Sequence, residues 1–225
     1  ASVTLEVSLN SQQYTSTNMT LLAFTFYETP TVVSVSPSLG PVEGGTLLWI
    51  NGDELQGPGS HRLCQFLNTM RTDAEYNPPG AAGGMVCRSA NMTAVAFGAA
   101  GDATIQVSVG SQGVISSSGG DASLQLALNG QQFGPSSLLY RFYPTPHVSS
   151  LLPGAGPIDG GTTVQVRGFG FAGGVGAGPD YKCRFNNVMV NATLATENGQ
   201  GLLVCLSPAL RAAAYAVEIT INGQN

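Results

Sequence analysis

The chain has 225 residues, enough for one large domain or two ordinary ones, and its 43% apolar residues are enough to fill a core, which excludes a disordered polymer. Only 9% of residues are charged, the net charge is −5, and the eight bases (Lys182 and seven Arg) form no cluster, so nothing is present to neutralise a phosphate backbone and nucleic acid is excluded as a partner. Gly (30) and Pro (13) break the apolar residues into runs far short of the roughly 20 needed for a membrane helix, so no membrane contact is expected within this segment.

The chain opens with Ala1 in a strand-like pattern and has no basic stretch leading into an apolar one; any signal peptide is expected outside these residues, and the chain is expected to be part of something longer. "LEVSLNSQQ" (5–13) alternates apolar and polar residues and predicts a strand with Leu5, Val7 and Leu9 on one side. "LLAFTFYETP" (21–30) follows, and Pro30 opens a new unit whose landmarks are Pro37, Gly40-Pro41, Gly44-Gly45-Thr46, Cys64-Gln65-Phe66 and Cys87-Arg88-Ser89. "LQLALNGQQ" (124–132) and "LLYRFYPTP" (138–146) then repeat the opening theme. Pro146, Pro153, Gly156-Pro157, Gly160-Gly161-Thr162, Cys183-Arg184-Phe185 and Cys205-Leu206-Ser207 repeat the landmarks in the same order, and "VEITINGQ" (217–224) gives the period-two strand a third time.

The organisation that follows is 1–28 as the closing strands of one repeat, 29–144 as a complete repeat and 145–225 as a repeat cut before its last strand. The 29–144 repeat is the longer because of an insertion near 91–118, which contains the alternating run "TIQVSVG" (104–110). Either that run or 124–132 could be its penultimate strand. Short alternating runs separated by Gly, Pro and Asn predict an all-β chain of antiparallel sandwiches. "PALRAAAY" (208–215) has room for no more than a turn or two of helix.

The proline-flanked starts, "PSLGPVEGGTLLWING" with "LCQF" and "VCRSA", and "PGAGPIDGGTTVQVRGFGF" with "KCRF" and "VCLSP", resemble the IPT/TIG family of immunoglobulin-like domains over nearly the whole chain. The earlier copy departs where "GDELQGPGS" replaces the Gly-Phe segment and Ala90 the proline. The resemblance implies tandem immunoglobulin-like sandwiches of the kind found in plexins, in hepatocyte growth factor receptors and in large arrays resembling fibrocystin on cell and ciliary surfaces. It is also compatible with Rel-type transcription factors and with accessory domains of starch-acting enzymes.

The cysteines discriminate among these settings. Each repeat holds one pair on equivalent strands, so Cys64 is expected to bond Cys87 and Cys183 to bond Cys205, each loop stabilising its domain by roughly 3 kcal/mol. Free thiols or zinc would be the alternatives, but no C-x-x-C occurs and His61 and His147 stand at unmatched positions. Three sequons, at Asn18, Asn91 and Asn191, mark glycosylation candidates and agree with an oxidising, secretory compartment.

Other chemical readings fail on context. Gly168-Phe169-Gly170-Phe171-Ala172-Gly173 matches a dinucleotide fingerprint, but "GVGAGP" after it cannot open a helix. Asp53-Glu54 and Asp73/Glu75 could serve calcium, but the later repeat lacks matching acids, so they read as solvated turn residues. Trp49, in the strand "LLWI", reads as packing or an interdomain contact rather than a sugar platform. No catalytic set recurs, and no enzyme activity, cofactor or metal is expected. The expected role is a structural or adhesive ectodomain, acting as spacer and as modules that bind other proteins or neighbouring repeats through sheet edges and loops, with N-linked glycans attached. The competing role is a non-catalytic appendage of a secreted carbohydrate-active enzyme.

Overall fold

The structure, a computed structural model, describes residues 1–15, 23–77, 84–93, 120–171, 179–197 and 199–224. Among these the regular structure is all β, in three sheets. The smallest is β1 (Ser2–Thr4) antiparallel to β2 (Ala23–Thr25), with Val3 opposite Phe24. The strand expected from Leu5 to Leu9 is not there: those residues follow β1 without regular structure, and Leu9 is fully exposed at 101%. Alternation specifies a strand only where a neighbour takes its hydrogen bonds and a second layer buries one face. Residues 5–9 are held at Val7, whose carbonyl accepts from Thr15 N and whose N donates to Thr15 Oγ1, both at 3.0 Å, but Leu5, Val7 and Leu9 are exposed, with no second layer among the described residues burying one face.

The next unit contains β3 (Thr31–Ser36), β4 (Leu39–Pro41), β5 (Leu47–Asp53), β6 (Leu63–Phe66), β7 (Met70–Asn77), β8 (Gly84–Arg88), β9 (Gly120–Ala127) and β10 (Leu139–Tyr143). They are hydrogen-bonded in the order β3-β5-β8-β7-β6-β9-β10-β4. β7 turns the corner of this ladder, since Met70–Asp73 pair with β6 and Ala74–Asn77 with β8. The ladder therefore folds over at β7 into two layers. Leu48, Ile50 and Met85 of one layer pack in a single core with Phe66, Leu124, Leu126, Tyr140 and Phe142 of the other.

The last unit repeats the plan with β11 (His147–Leu152), β12 (Thr163–Phe169), β13 (Lys182–Phe185), β14 (Val188–Glu197), β15 (Gln200–Leu206) and β16 (Val217–Thr220), in the order β11-β12-β15-β14-β13-β16. Val164, Val166, Phe171, Phe185 and Leu203 form its core. The chain is thus a series of tandem immunoglobulin-like sandwiches. Pro144, Thr145 and Pro146 alone separate β10 from β11. Residues 207–216 contain no helix.

The choice left open between the two alternating runs can be made from the register. Leu126 of β9 lies opposite Cys64 of β6, as Ile219 of β16 lies opposite Cys183 of β13, so the 124–132 run supplies the penultimate strand. Residues 104–110 lie outside the described residues.

Each core is crossed by a disulfide. Cys64 of β6 joins Cys87 of β8, and Cys183 of β13 joins Cys205 of β15, with Cα atoms 6.5 Å apart in both cases. Each bridge therefore links strands that are not neighbours in the sheet. The described residues hold no free cysteine.

Candidate functional site

The residues singled out from sequence are scattered. Asn91 is exposed and its Oδ1 accepts bonds from Thr93 N (3.0 Å) and Oγ1 (2.7 Å). Asn191 is exposed on β14, opposite Lys182 of β13, and Asn18 lies outside the described residues. Asp53, Glu54, Asp73 and Glu75 are exposed, and among the described residues no three His, Cys, Asp or Glu side chains group as metal donors. Gly168 belongs to β12 rather than to a phosphate loop. A Cβ there would stand 1.8 Å from the carbonyl oxygen of His147, and one at its counterpart Gly52 would stand 1.8 Å from that of Thr31. These glycines serve the close approach of two strands.

What the structure does bring together is the end of the last strand and the preceding sandwich. Ile221 is fully buried against Leu39 and Tyr143 of the preceding sandwich, with Tyr181 alongside. One step on, the side chain of Asn222 is hydrogen-bonded through both its oxygen and its nitrogen. Its Oδ1 accepts from Thr220 Oγ1 (3.1 Å) and from the backbone N of Gln224 (3.0 Å). Its Nδ2 donates to Thr46 Oγ1 (3.1 Å) and to the carbonyl of Leu39 (3.4 Å), both in the other repeat. Asn222 is only 5% exposed and Thr46 is fully buried. A primary amide has two donors and an acceptor with two lone pairs, and all are used here, which is what burial of such a group requires.

Gln224 completes the joint. Leu47 N donates to its Oε1 (2.9 Å) and its Nε2 donates to the Leu47 carbonyl (3.0 Å). The register of β3 on β5 ends at Ser36 opposite Trp49, so Leu47 has no strand partner on that side, and one side-chain amide supplies the missing rung. Trp49 lines a cleft of about 380 Å³ with Ser36, Asp180, Asn222 and Gln224. Its position is interdomain. Lys182 Nζ lies 2.8 Å from Asp180 Oδ2 beside this cleft.

The sequence signal for this joint, Asn-x-Gln after an alternating strand, occurs three times, and the other two copies behave differently. Asn10 Oδ1 accepts from Gln12 N and Gln13 N at 3.0 Å, and Asn129 Oδ1 accepts from Gln131 N and Gln132 N at 3.1 Å. In both, the amide nitrogen donates within the motif, to Gln13 or Gln132. The third copy carries Asn225 at the position of that second glutamine, and its amide donates to a neighbouring domain instead. The motif is therefore a self-capping corner that can be turned outward.

The chemistry of the joint is that of recognition. It presents buried apolar contact and satisfied amide bonds.

Comparison with solved structures matches the full extracellular region of plexin A4, domains 1 to 8, at 20% identity and a TM-score of 0.44, covering 86% of this chain and 17% of that one. It also matches domains 1 to 10 of the same region at 18% identity and a TM-score of 0.46, covering 86% of this chain and 14% of that one. The chain thus spans less than a fifth of either structure. Comparison with curated proteins gave no match. Comparison with protein families matches the IPT/TIG domain twice, over residues 30–140 and 146–225, and with most of its length accounted for by these two copies the chain belongs to the IPT/TIG domain family.

Proposed function

We propose that this chain is a structural and adhesive segment of a large multi-repeat glycoprotein of the cell or ciliary surface, of the fibrocystin kind. In it, successive IPT/TIG repeats hold a set spacing and present sheet edges and loops to other proteins. On this reading residues 1–28 close a preceding repeat, 29–144 and 145–225 are the next two, and any membrane anchor lies outside them. The single observation that carries the reading is the joint: Asn222 and Gln224 of one repeat are hydrogen-bonded to Leu39, Thr46 and Leu47 of the other. A freely hinged pair of modules would have no use for a buried, fully bonded asparagine between them.

Two further observations support the compartment. Both repeats carry a disulfide, as suits an oxidising environment. The sequon residues Asn91 and Asn191 are exposed, as a glycan at each requires.

Small-angle scattering of the whole chain tests the reading. The expected result is an elongated particle with a narrow distribution of lengths. A distribution as broad as that of freely jointed beads would mean independent modules on a string and would end the spacer reading.

A further inference from the structure

The corner that carries the joint is also chemically labile. Asn222 is followed by Gly223, and a glycine has no side chain to hinder its backbone N as that N approaches the Cγ of the asparagine before it. In the reaction the Gly223 N bonds to the Asn222 Cγ and the Cγ–Nδ2 bond breaks. The amide proton of Gly223 leaves with the NH2 group as ammonia, and a five-membered succinimide remains. Water then opens the ring, to aspartate or to isoaspartate, and is the sole co-reactant.

The joint fixes both members of this pair. Gly223 lies in the left-handed region at φ 76°, and a Cβ there would stand 2.3 Å from Asp180 Oδ2. Asp180 cannot draw back, because its N donates to the Ile221 carbonyl at 2.8 Å. Asn222 in turn must offer donors to Thr46 and Leu39 and an acceptor to Thr220 and Gln224, which a carboxylate cannot do. While the joint is closed the amide is 5% exposed and held at both its oxygen and its nitrogen. The same dipeptide occurs at Asn51-Gly52 and Asn129-Gly130, and at Asn198-Gly199, whose asparagine lies outside the described residues. Asn51 is exposed on β5, opposite Ser34, and Asn129 is bonded to Gln131 and Gln132 of its own corner. Those surroundings do not change when the joint opens, so the two pairs are internal references.

We propose that Asn222-Gly223 is a deamidation site guarded by the joint, so that opening of the joint becomes permanent once Asn222 is converted. The product cannot remake the contact. A carboxylate has no N–H, so Thr46 Oγ1 loses the donor now 3.1 Å away and the Leu39 carbonyl, now 3.4 Å from Nδ2, meets an acceptor. The new charge would be buried beside Asp180, which lines the same cleft and already holds Lys182 at 2.8 Å. Isoaspartate also lengthens the main chain by one carbon ahead of Gly223, which carries Gln224 off the Leu47 backbone. A closed pair of sandwiches thus keeps its asparagine, and a pair that has opened loses the means to close. This inference rests on the joint that carries the spacer reading, and adds how that stiffness is lost.

Incubation of the whole chain at neutral pH, with peptide mapping by mass spectrometry, follows each conversion, and a synthetic peptide with the sequence of Val217–Asn225 gives the unguarded rate. Asn222 is expected to convert about tenfold more slowly in the folded chain than in the peptide, or slower still. Gln224→Ala loosens the joint and leaves the Asn-Gly pair in place, so it should restore most of the peptide's rate at Asn222 while Asn129 keeps its own. The converted chain, separated by its added negative charge, should tumble as two bodies in ¹⁵N relaxation, and Asn222→Asp should do the same with both disulfides and both sandwiches intact. The proposal is overturned if Asn222 converts as fast in the folded chain as in the peptide, or if Gln224→Ala leaves its rate unchanged or quickens Asn129 equally. It is also overturned, and the spacer reading is not, if the unaltered and the converted chain both tumble as one body. Two bodies in the unaltered chain would end the spacer reading and this inference together.

Discussion

Asn222 Nδ2 lies 3.1 Å from Thr46 Oγ1, a hydrogen bond between side chains 176 residues apart that belong to different sandwiches. Removing one partner leaves the other buried without its bond, at a cost of about 1–3 kcal/mol. Asn222→Ala is expected to weaken the joint by that amount without unfolding either repeat, because the core residues of each are untouched. Paired with Thr46→Val in a double-mutant cycle, it should show coupling of about 0.5–2 kcal/mol in denaturant unfolding. Strict additivity would mean that the two side chains do not depend on each other.

The disulfides should act locally. Each closes a short loop, of separation 23 for Cys64–Cys87 and 22 for Cys183–Cys205, within one repeat. Replacing Cys64 and Cys87 together by Ala should destabilise the sandwich of β3–β10 by about 2–4 kcal/mol and leave the unfolding midpoint of the sandwich of β11–β16 nearly unchanged. The reciprocal pair should do the reverse. Non-reducing peptide maps check the connectivity, and a Cys64 to Cys183 peptide would contradict it.

Alkali should open the earlier repeat first. Burial pushes the Tyr140 hydroxyl from the ordinary 10 up to about 12, against a smaller opposing effect of the Thr46 and Ser89 hydroxyls, and burial also raises Tyr143. Between pH 10 and 12 the unfolded chain has already lost the Tyr140 proton that the folded chain keeps, so stability is full below 10 and falls through this window. The loss from Tyr140 should reach about 3 kcal/mol. Tyr140→Phe should flatten the decline in a pH series of unfolding midpoints, and an unchanged slope would place the cause elsewhere.

Stiffness of the connector is a separate matter from the joint. Pro144 and Pro146 fix their own φ angles and push Tyr143 and Thr145 towards extended backbone. Pro144→Gly with Pro146→Gly should broaden the scattering length distribution only modestly while Asn222 and Gln224 hold. Combined with Asn222→Ala and Gln224→Ala, it should broaden it strongly. A full effect from the glycines alone would show that the connector, and not the joint, sets the angle.

Much of the frame could be read from sequence, because the landmarks that repeat are those the backbone needs. Cys64, Cys87, Cys183 and Cys205 lie on matched strands, and the Gly-Gly-Thr segments lead into β5 and β12. What escaped depended on neighbours in space. β4 carries the landmark Gly40-Pro41, which shows no strand alternation, and is a strand because β10 lies alongside it. Leu5, Val7 and Leu9 read as a strand and are not one: Val7 bonds Thr15, but all three side chains are exposed, with no layer among the described residues packed over them. The joint was hidden for a subtler reason. Asn10, Asn129 and Asn222 stand in nearly the same local sequence, and whether the amide turns inward to a glutamine or outward to Thr46 is decided by what lies opposite. Only Trp49 gave a hint, as an aromatic on a strand with no matching aromatic in the other repeat.

The central claim is that the two repeats move as one body through the Asn222 and Gln224 joint. Backbone ¹⁵N relaxation on the whole chain tests it most directly, since it reports the tumbling of each sandwich separately. The account predicts that amides of residues 31–77 and of residues 147–171, 179–197 and 199–224 fit a single anisotropic diffusion tensor, and that Asn222→Ala with Gln224→Ala splits it into two faster ones. Two independent tensors in the unaltered protein would contradict the account.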